Sequence, residues 1–138
     1  QFTLIELLAV ITIIAVLAGM VIGISKLAST KAAVGKCKSQ MKQIELALEQ
    51  YKDDFGYFPQ SSGDLKEDYL QANGEWLVDR SNFNFSGGDL IDPFGSPYQY
   101  RCPGDKNPQS YDLWSYGPDG KSSNEEEKKD NITNWSSN

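Results

Sequence analysis

Apolar residues follow two patterns along the chain, and the change between them falls between Ile24 and Val34. Leu7–Ile24 reads LLAVITIIAVLAGMVIGI, eighteen residues without a charge, and it starts one residue after the carboxylate of Glu6. As a helix this run is ~27 Å long, enough to cross most of a bilayer's hydrocarbon core. Further on, Val34, Cys37, Met41, Ile44, Leu48 and Tyr51 recur at spacings of 3, 4, 3, 4 and 3, one stripe of an amphipathic helix. Lys38, Gln40, Lys42, Gln43, Glu45, Glu49 and Gln50 occupy its wet side. No proline precedes Pro59, so the pattern predicts one helix from Phe2 to about Asp53. At ~1.5 Å per residue it would be ~75 Å long. Gly19, Gly23 and Gly35 each cost ~1 kcal/mol relative to alanine, which marks them for local melting or close helix packing. The stripe is too short and too interrupted by Cys37 for a zipper and reads as the seam that docks a C-terminal head.

The head has a different texture. Asp54-Phe55-Gly56-Tyr57-Phe58-Pro59 stops the helix with a glycine and then a proline. Ser61-Ser62-Gly63-Asp64-Leu65 predicts a loop whose Ser or Asp caps a short helix reaching about Leu70. Asn73 to Gly88, rich in Asn, Gly and aromatic residues, reads as a long irregular segment. Strands are expected at Tyr98–Cys102, Tyr111–Tyr116 and, weakly, Trp76–Val78. Asp92-Pro93-Phe94-Gly95-Ser96-Pro97 is a rigid turn into the first of these. The expected organisation is a hydrophobic membrane or filament-core helix over 1–26, its amphipathic continuation over 27–53, and a globular head over 54–138.

Charge follows the same division. Residues 1–52 hold six Lys against Glu6, Glu45 and Glu49, a net of +3, so the rest must carry −9 to give the overall −6. An acidic chain with a basic collar after its apolar run is a poor nucleic-acid binder, and the collar suits a membrane surface or acidic neighbours. With no histidine in the 138 residues, neither a Ser-His-Asp nor a Cys-His arrangement can be built. Gly87-Gly88 lacks the Lys-Ser/Thr of a phosphate loop, and Asp53–Asp54 and Glu125–Glu127 read as solvated acids. The chain reads as a non-enzyme. A secretory signal is also a poor fit, because nothing basic precedes the apolar run and helix follows it without a break. Glu6, an acid at the edge of a membrane segment, is expensive enough to mark a function.

Phe2-Thr3-Leu4-Ile5-Glu6-Leu7-Leu8 resembles the F-T-L-I-E-L-L start of mature type IV pilins and of the pseudopilins of type II secretion. In that family the acid is usually the fifth mature residue and the first is a methylated Phe. Here Glu6 is sixth, so either prepilin peptidase cleaves before Gln1 or Gln1 is the last leader residue. Four further blocks carry the resemblance through the head: Glu45–Pro59, Asp92–Tyr100, Tyr111–Gly120 and Asp130–Trp135. The last three are similar to the D-P-W-G-N-P-Y, D-L-x-S-x-G-x-D-G and D-D-I-x-N-W blocks of the major pseudopilin, and Asp64–Asp89 is the part least covered. The resemblance implies an α+β protein of type IV pilin fold, a long N-terminal α-helix packed on a small C-terminal antiparallel β-sheet head.

The resemblance also implies a calcium ion, held by the Tyr116 carbonyl, Asp119, Asp130 and Asn131. Such hard oxygen donors are what Ca²⁺ takes, at ~2.3–2.6 Å. Asn131 stands where the family often has a second Asp, the Glu125–Lys129 loop is longer than usual, and Glu125–Glu127 are alternative donors. The D-x-D-x-D-G pattern of an EF-hand is absent. In an exported head, Cys37 and Cys102 either form a disulfide joining head to helix or are two small buried apolar residues. The Asn131 and Asn134 sequons sit in an Asn/Ser-rich tail where such matches arise by chance.

The function implied is a structural subunit that polymerises into a helical filament, the major pseudopilin of a type II secretion system. A surface pilin for adhesion or motility and a monomeric membrane-anchored binding module are the alternatives. The partners are copies of itself, the bilayer, prepilin peptidase and an inner-membrane assembly platform. The subunit would wait in the bacterial inner membrane as a single-pass protein and end in a periplasmic or extracellular filament. Gln1, Phe2 and Glu6 form the assembly end, where Glu6 would pair with the N-terminal amine of the next subunit as both enter an apolar core.

Overall fold

The computed structural model describes residues 3–120 and 127–135, with the side chains of 21–26 and 127–128 outside that description. Helix α1 runs Leu4–Phe55, 52 residues without a break. It ends where the sequence puts a glycine: Gly56 takes φ +83° and its N–H donates to the Lys52 carbonyl at 2.6 Å, a left-handed helix stop. A Cβ at Gly19 or Gly35 would meet nothing within 4 Å, so neither glycine marks a close packing within the chain. The chain forms two compact units, Gln1–Ala32 and Ala33–Asn138.

In the first unit every described side chain from Thr3 to Met20 is exposed. Leu4 reaches 82% exposure, and Ile11, Ile14, Leu17 and Met20 all exceed half. Among the described residues no helix is long and apolar enough to cross a membrane. The span predicted over Leu7–Ile24 takes its last four residues from the stretch whose side chains are not described.

The second unit joins the rest of α1 to eight short strands: β1 Ser61–Asp64, β2 Gln71–Ala72, β3 Glu75–Trp76, β4 Asn84–Ser86, β5 Asp89–Ile91, β6 Gln99–Cys102, β7 Asp112–Ser115 and β8 Ile132–Thr133. One antiparallel sheet has the order β1-β6-β7-β8, and β2-β3 and β4-β5 are separate two-stranded pairs. The α+β architecture is as expected, and β6 and β7 sit within a residue or two of their predicted places.

Two sequence expectations are corrected here. Ser61–Asp64 is not a capping loop but the edge strand β1, with Ser61 opposite Cys102 and Asp64 opposite Gln99. The short helix that follows is a single 3-10 turn, Glu67–Leu70, whose cap position Lys66 offers no side-chain acceptor. The segment 73–88 is irregular only over 77–83, around a 3-10 turn at Arg80–Asn82; its two ends belong to tight hairpins. Asn73 and Gly74 (φ +52° and +81°) join β2 to β3, and Gly87 and Gly88 (φ +61° and +87°) join β4 to β5. Paired positive φ values give the turn sense that suits two-residue hairpins.

The predicted stripe is the seam. Cys37, Met41, Ile44 and Leu48 are buried, with Ala47 beside them, and they join a core that includes Tyr98, Tyr100, Leu113 and Ile132. Tyr100 faces Leu113 across β6 and β7, and its hydroxyl donates to the Pro59 carbonyl at 2.9 Å. Gln40, expected on the wet side, is buried because its amide is fully used. It donates to the Asn82 carbonyl at 2.5 Å and accepts the Tyr98 hydroxyl at 2.8 Å. Burial satisfied in this way fixes the register of helix on sheet.

Of the two readings of the cysteines the structure has the second: both are buried free thiols, and no disulfide joins head to helix. Next to the start of β6, Cys37 Sγ lies 3.4 Å from the Tyr98 hydroxyl oxygen, which can accept its S–H because the hydroxyl proton goes to Gln40. Cys102 ends β6, four residues beyond Tyr98, and bonds Gln60 and the Ser110 carbonyl instead. Desolvation pushes the Cys37 thiol up, which suppresses the reactive thiolate. Thiol titration of the unreduced protein is expected to find two groups after unfolding and almost none before, whereas none after unfolding would mean a bridge. Leu48→Ala should cost ~2–5 kcal/mol of unfolding free energy by leaving a cavity. Leu46→Ala, at a side chain 71% exposed, should cost under ~0.5 kcal/mol. Chemical denaturation of both variants separates the seam from the outer face.

Candidate functional site

At the N-terminal end the structure gives Glu6 a partner within its own chain. The Thr3 N–H and hydroxyl both donate to Glu6 Oε2, at 2.9 and 2.8 Å. In return the Glu6 N–H donates to Thr3 Oγ1 at 3.3 Å. This reciprocal arrangement is a capping box, and it satisfies donors that the first turn of any helix leaves open. Its signature, Thr three residues before Glu, was present in the sequence and was missed because the acid was read only against the membrane. Gln1 and Phe2 lie outside the described residues.

The second site is the loop between β7 and β8. Gly117-Pro118-Asp119-Gly120 forms a turn closed by the Gly120 N–H donating to the Gly117 carbonyl at 3.2 Å. Gly117 has φ +75°, and a Cβ there would collide with the Asp130 carbonyl. Only glycine lets the two ends of the loop come this close. The Asp119 N–H donates to Asp130 Oδ2 at 3.3 Å. The structure therefore brings the backbone of Gly117 and Asp119 against Asp130, with Asn131 next in sequence. Glu125 and Glu126 and the side chain of Glu127 lie outside the described residues.

The other oxygen of Asp130 carries the test of the metal. Asp130 Oδ1 is buried and has no hydrogen-bond partner among the described residues. An unpartnered buried carboxylate oxygen is costly, and a cation offsets that cost directly. A hard, charged oxygen beside a second carboxylate and a backbone turn fits calcium chemistry. Among the described residues no three His, Cys, Asp or Glu side chains cluster as a metal cage. The oxygens that the described residues offer here besides Asp119 and Asp130 are backbone carbonyls and the Asn131 amide.

Two neighbouring anchors hold the loop's flanks, and the motif reading did not assign them a role. Asp92, 1% exposed, accepts from the Ser115 hydroxyl at 2.6 Å and from the N–H groups of Phe94 and Ser96 at 2.9 and 3.0 Å. It ties the Asp92–Pro97 turn to the strand that leads into the Gly117–Gly120 turn. Beyond the loop, Asn134 Oδ1 accepts from the Leu113 N–H at 2.9 Å, and its Nδ2 donates to the Tyr111 carbonyl at 3.1 Å. Trp135 packs edge-on against Trp114 with ring centroids 5.8 Å apart. The Asn134 amide is thus committed to the sheet, which accounts for the asparagine of this block without glycosylation.

Known proteins similar to this chain share one description. A family model described as "Type II secretion system (T2SS), protein G" matches residues 26–135. The type II secretion system core protein G of Pseudomonas aeruginosa is 35% identical over 137 residues, covering 97% of this chain and 93% of the relative. The protein of the same name from Escherichia coli K12 is also 35% identical, covering 97% and 89%. Among solved structures, the major pseudopilin of the type 2 secretion system of enterohaemorrhagic Escherichia coli is 27% identical, with a TM-score of 0.46, covering 76% of this chain and 88% of that one. With the family model matched over residues 26–135 and relatives 35% identical along nearly the whole chain, the chain belongs to the type II secretion system protein G family.

Proposed function

We propose that this chain is a structural subunit, not an enzyme, and that it polymerises through its N-terminal helix into the pseudopilus of a type II secretion system. The observation that carries the reading is the first unit: apolar side chains from Leu4 to Met20, all exposed, around a helix whose backbone is already hydrogen-bonded. A surface of that kind needs lipid or copies of itself. The names of the relatives, core components of type II secretion, favour the secretion filament over a surface pilus.

The subunit would be stored in the inner membrane after prepilin peptidase has freed its N-terminus, and then be extracted into a periplasmic filament by the assembly platform. The capping box gives Glu6 a resting partner during storage. On assembly, the Thr3 donors would be exchanged for the amine of the neighbouring subunit, which neutralises two groups that are each costly in an apolar core. Glu6→Leu and Glu6→Ala should fold their heads normally and lose filament assembly, as read by electron microscopy and by sedimentation of polymer. Normal filaments from both variants would remove the pairing role.

Calcium belongs to the same proposal. Asp119 and Asp130, with the Tyr116 carbonyl and Asn131, would hold it, and the ion would supply the positive charge that Asp130 Oδ1 lacks. Binding stabilises the native state by mass action, ~2.7 kcal/mol at a hundred times Kd. Millimolar Ca²⁺ should therefore raise Tm by several degrees, and the rise should vanish in Asp130→Ala. An unchanged Tm in the parent chain would contradict calcium binding at this loop.

A further inference from the structure

The second unit carries two features that neither the capping box nor the metal loop uses. One is a groove of about 490 Å³ between α1 and the Lys129–Asn134 segment. Val34, Met41 and Ile132 give it an apolar floor, and Lys38, Lys42 and Lys129 supply its positive charge. Glu45 also lines it and pairs with Lys42 at 2.6 Å, so these two charges offset each other and Lys38 and Lys129 carry the excess. The remaining acid, Asp130, is turned into the metal loop, where its Oδ2 accepts from the Asp119 N–H.

The other feature is the knob at the C-terminal end of α1. Asp53 and Asp54 are exposed there, and Phe55 and Tyr57 stand 40% and 54% exposed beside them. Tyr51 stacks on Phe55 at 4.4 Å and meets Tyr57 edge-on at 6.3 Å, so the aromatic part is stiff before any partner arrives. Lys52, the nearest cation, lies over the Phe58 ring at 4.6 Å. Two acids with two rigid aromatic rings complement a lysine-rimmed groove with an apolar floor that contains a methionine.

These surfaces cannot meet within one molecule. Lys38 and Asp54 are on the same unbroken helix, ~24 Å apart along its axis. We propose, building on the self-assembly proposed above, that the acidic aromatic knob of one copy docks in the lysine-rimmed groove of another copy. The two patches differ, so the contact is heterologous and leaves a free knob and a free groove after every addition, the condition for an open-ended polymer. It also sets a register, because parallel helices joined in this way are offset by ~18–24 Å, the span from Lys42 or Lys38 to Asp54. A cation on Asp130 would make the groove wall more positive and so strengthen the docking.

Cross-linking in the full chain tests this directly. Lys38→Cys combined with Asp54→Cys, both at exposed positions, should give a ladder of covalent multimers when assembled filaments are oxidised, and neither single variant should. Lys38→Glu with Lys42→Glu should lower the polymer fraction at low salt at least tenfold, and adding Asp53→Lys with Asp54→Lys should restore it. Parent filaments that give no ladder in the double-cysteine variant, together with charge reversals that leave polymerisation unchanged, would overturn the contact while leaving self-assembly intact. Cross-links to a different protein and none between copies would overturn it in favour of a partner of another kind. A parent chain that never polymerises would instead overturn the assembly reading, and this contact with it.

Discussion

A helix can satisfy all its interior hydrogen bonds and still leave its side chains without shelter, and this chain does both in one element. From Ala33 onward the helix buries Cys37, Met41, Ile44 and Leu48 under the sheet. Before Ala33 the described leucines, isoleucines and valines from Leu4 to Leu17, and Leu27, are at least half exposed. Each such side chain left in water forgoes ~1.5–3 kcal/mol of burial. Summed over a dozen positions, that exceeds the net stability of an ordinary domain, ~5–15 kcal/mol. The head is folded for its own sake, while the first unit is folded for something outside it.

The head itself is built from strands too short to hold register alone, two to four residues each. Buried polar groups do that work. Asp92 gathers a turn and a strand end, and Gln40 links the helix to Asn82 and Tyr98. Asp112 accepts the N–H groups of Asp105, Lys106 and Asn107 at 2.7–2.9 Å, holding the long β6–β7 connection against its own strand. Asn134 then straps the chain back after the β7–β8 loop. The bonds to the Asp92 and Asp112 carboxylates are of the stronger kind, and all four groups are costly to leave half bonded. A head held in this way presents fixed faces, which a repeating contact requires.

The helix and its seam were legible because their signals are long. Fifty residues without proline and a six-residue stripe at helical spacing leave little room for another element. β6 and β7 were legible from their flanking turns. The rest failed for local reasons. β1 reads as loop because Ser61-Ser62-Gly63-Asp64 has no strand propensity, and only its pairing with β6 makes it extended. The hairpins at Asn73-Gly74 and Gly87-Gly88 were announced by turn chemistry, but strands of two or three residues show no alternation. At the candidate sites, the residues of the metal loop came from resemblance alone. The physical reason for them, an unpartnered Asp130 oxygen and a glycine pressed against its carbonyl, is visible only in three dimensions.

Both ends of the account come down to where the exposed apolar helix goes when lipid is withheld. Sedimentation velocity of the full chain, purified in detergent and then freed of it, measures this most directly. The account predicts that the 15.4 kDa species disappears into large ordered polymer or stays with added vesicles. A stable, monodisperse monomer in detergent-free buffer, with residues 4–20 protected from hydrogen exchange and from protease, would contradict it.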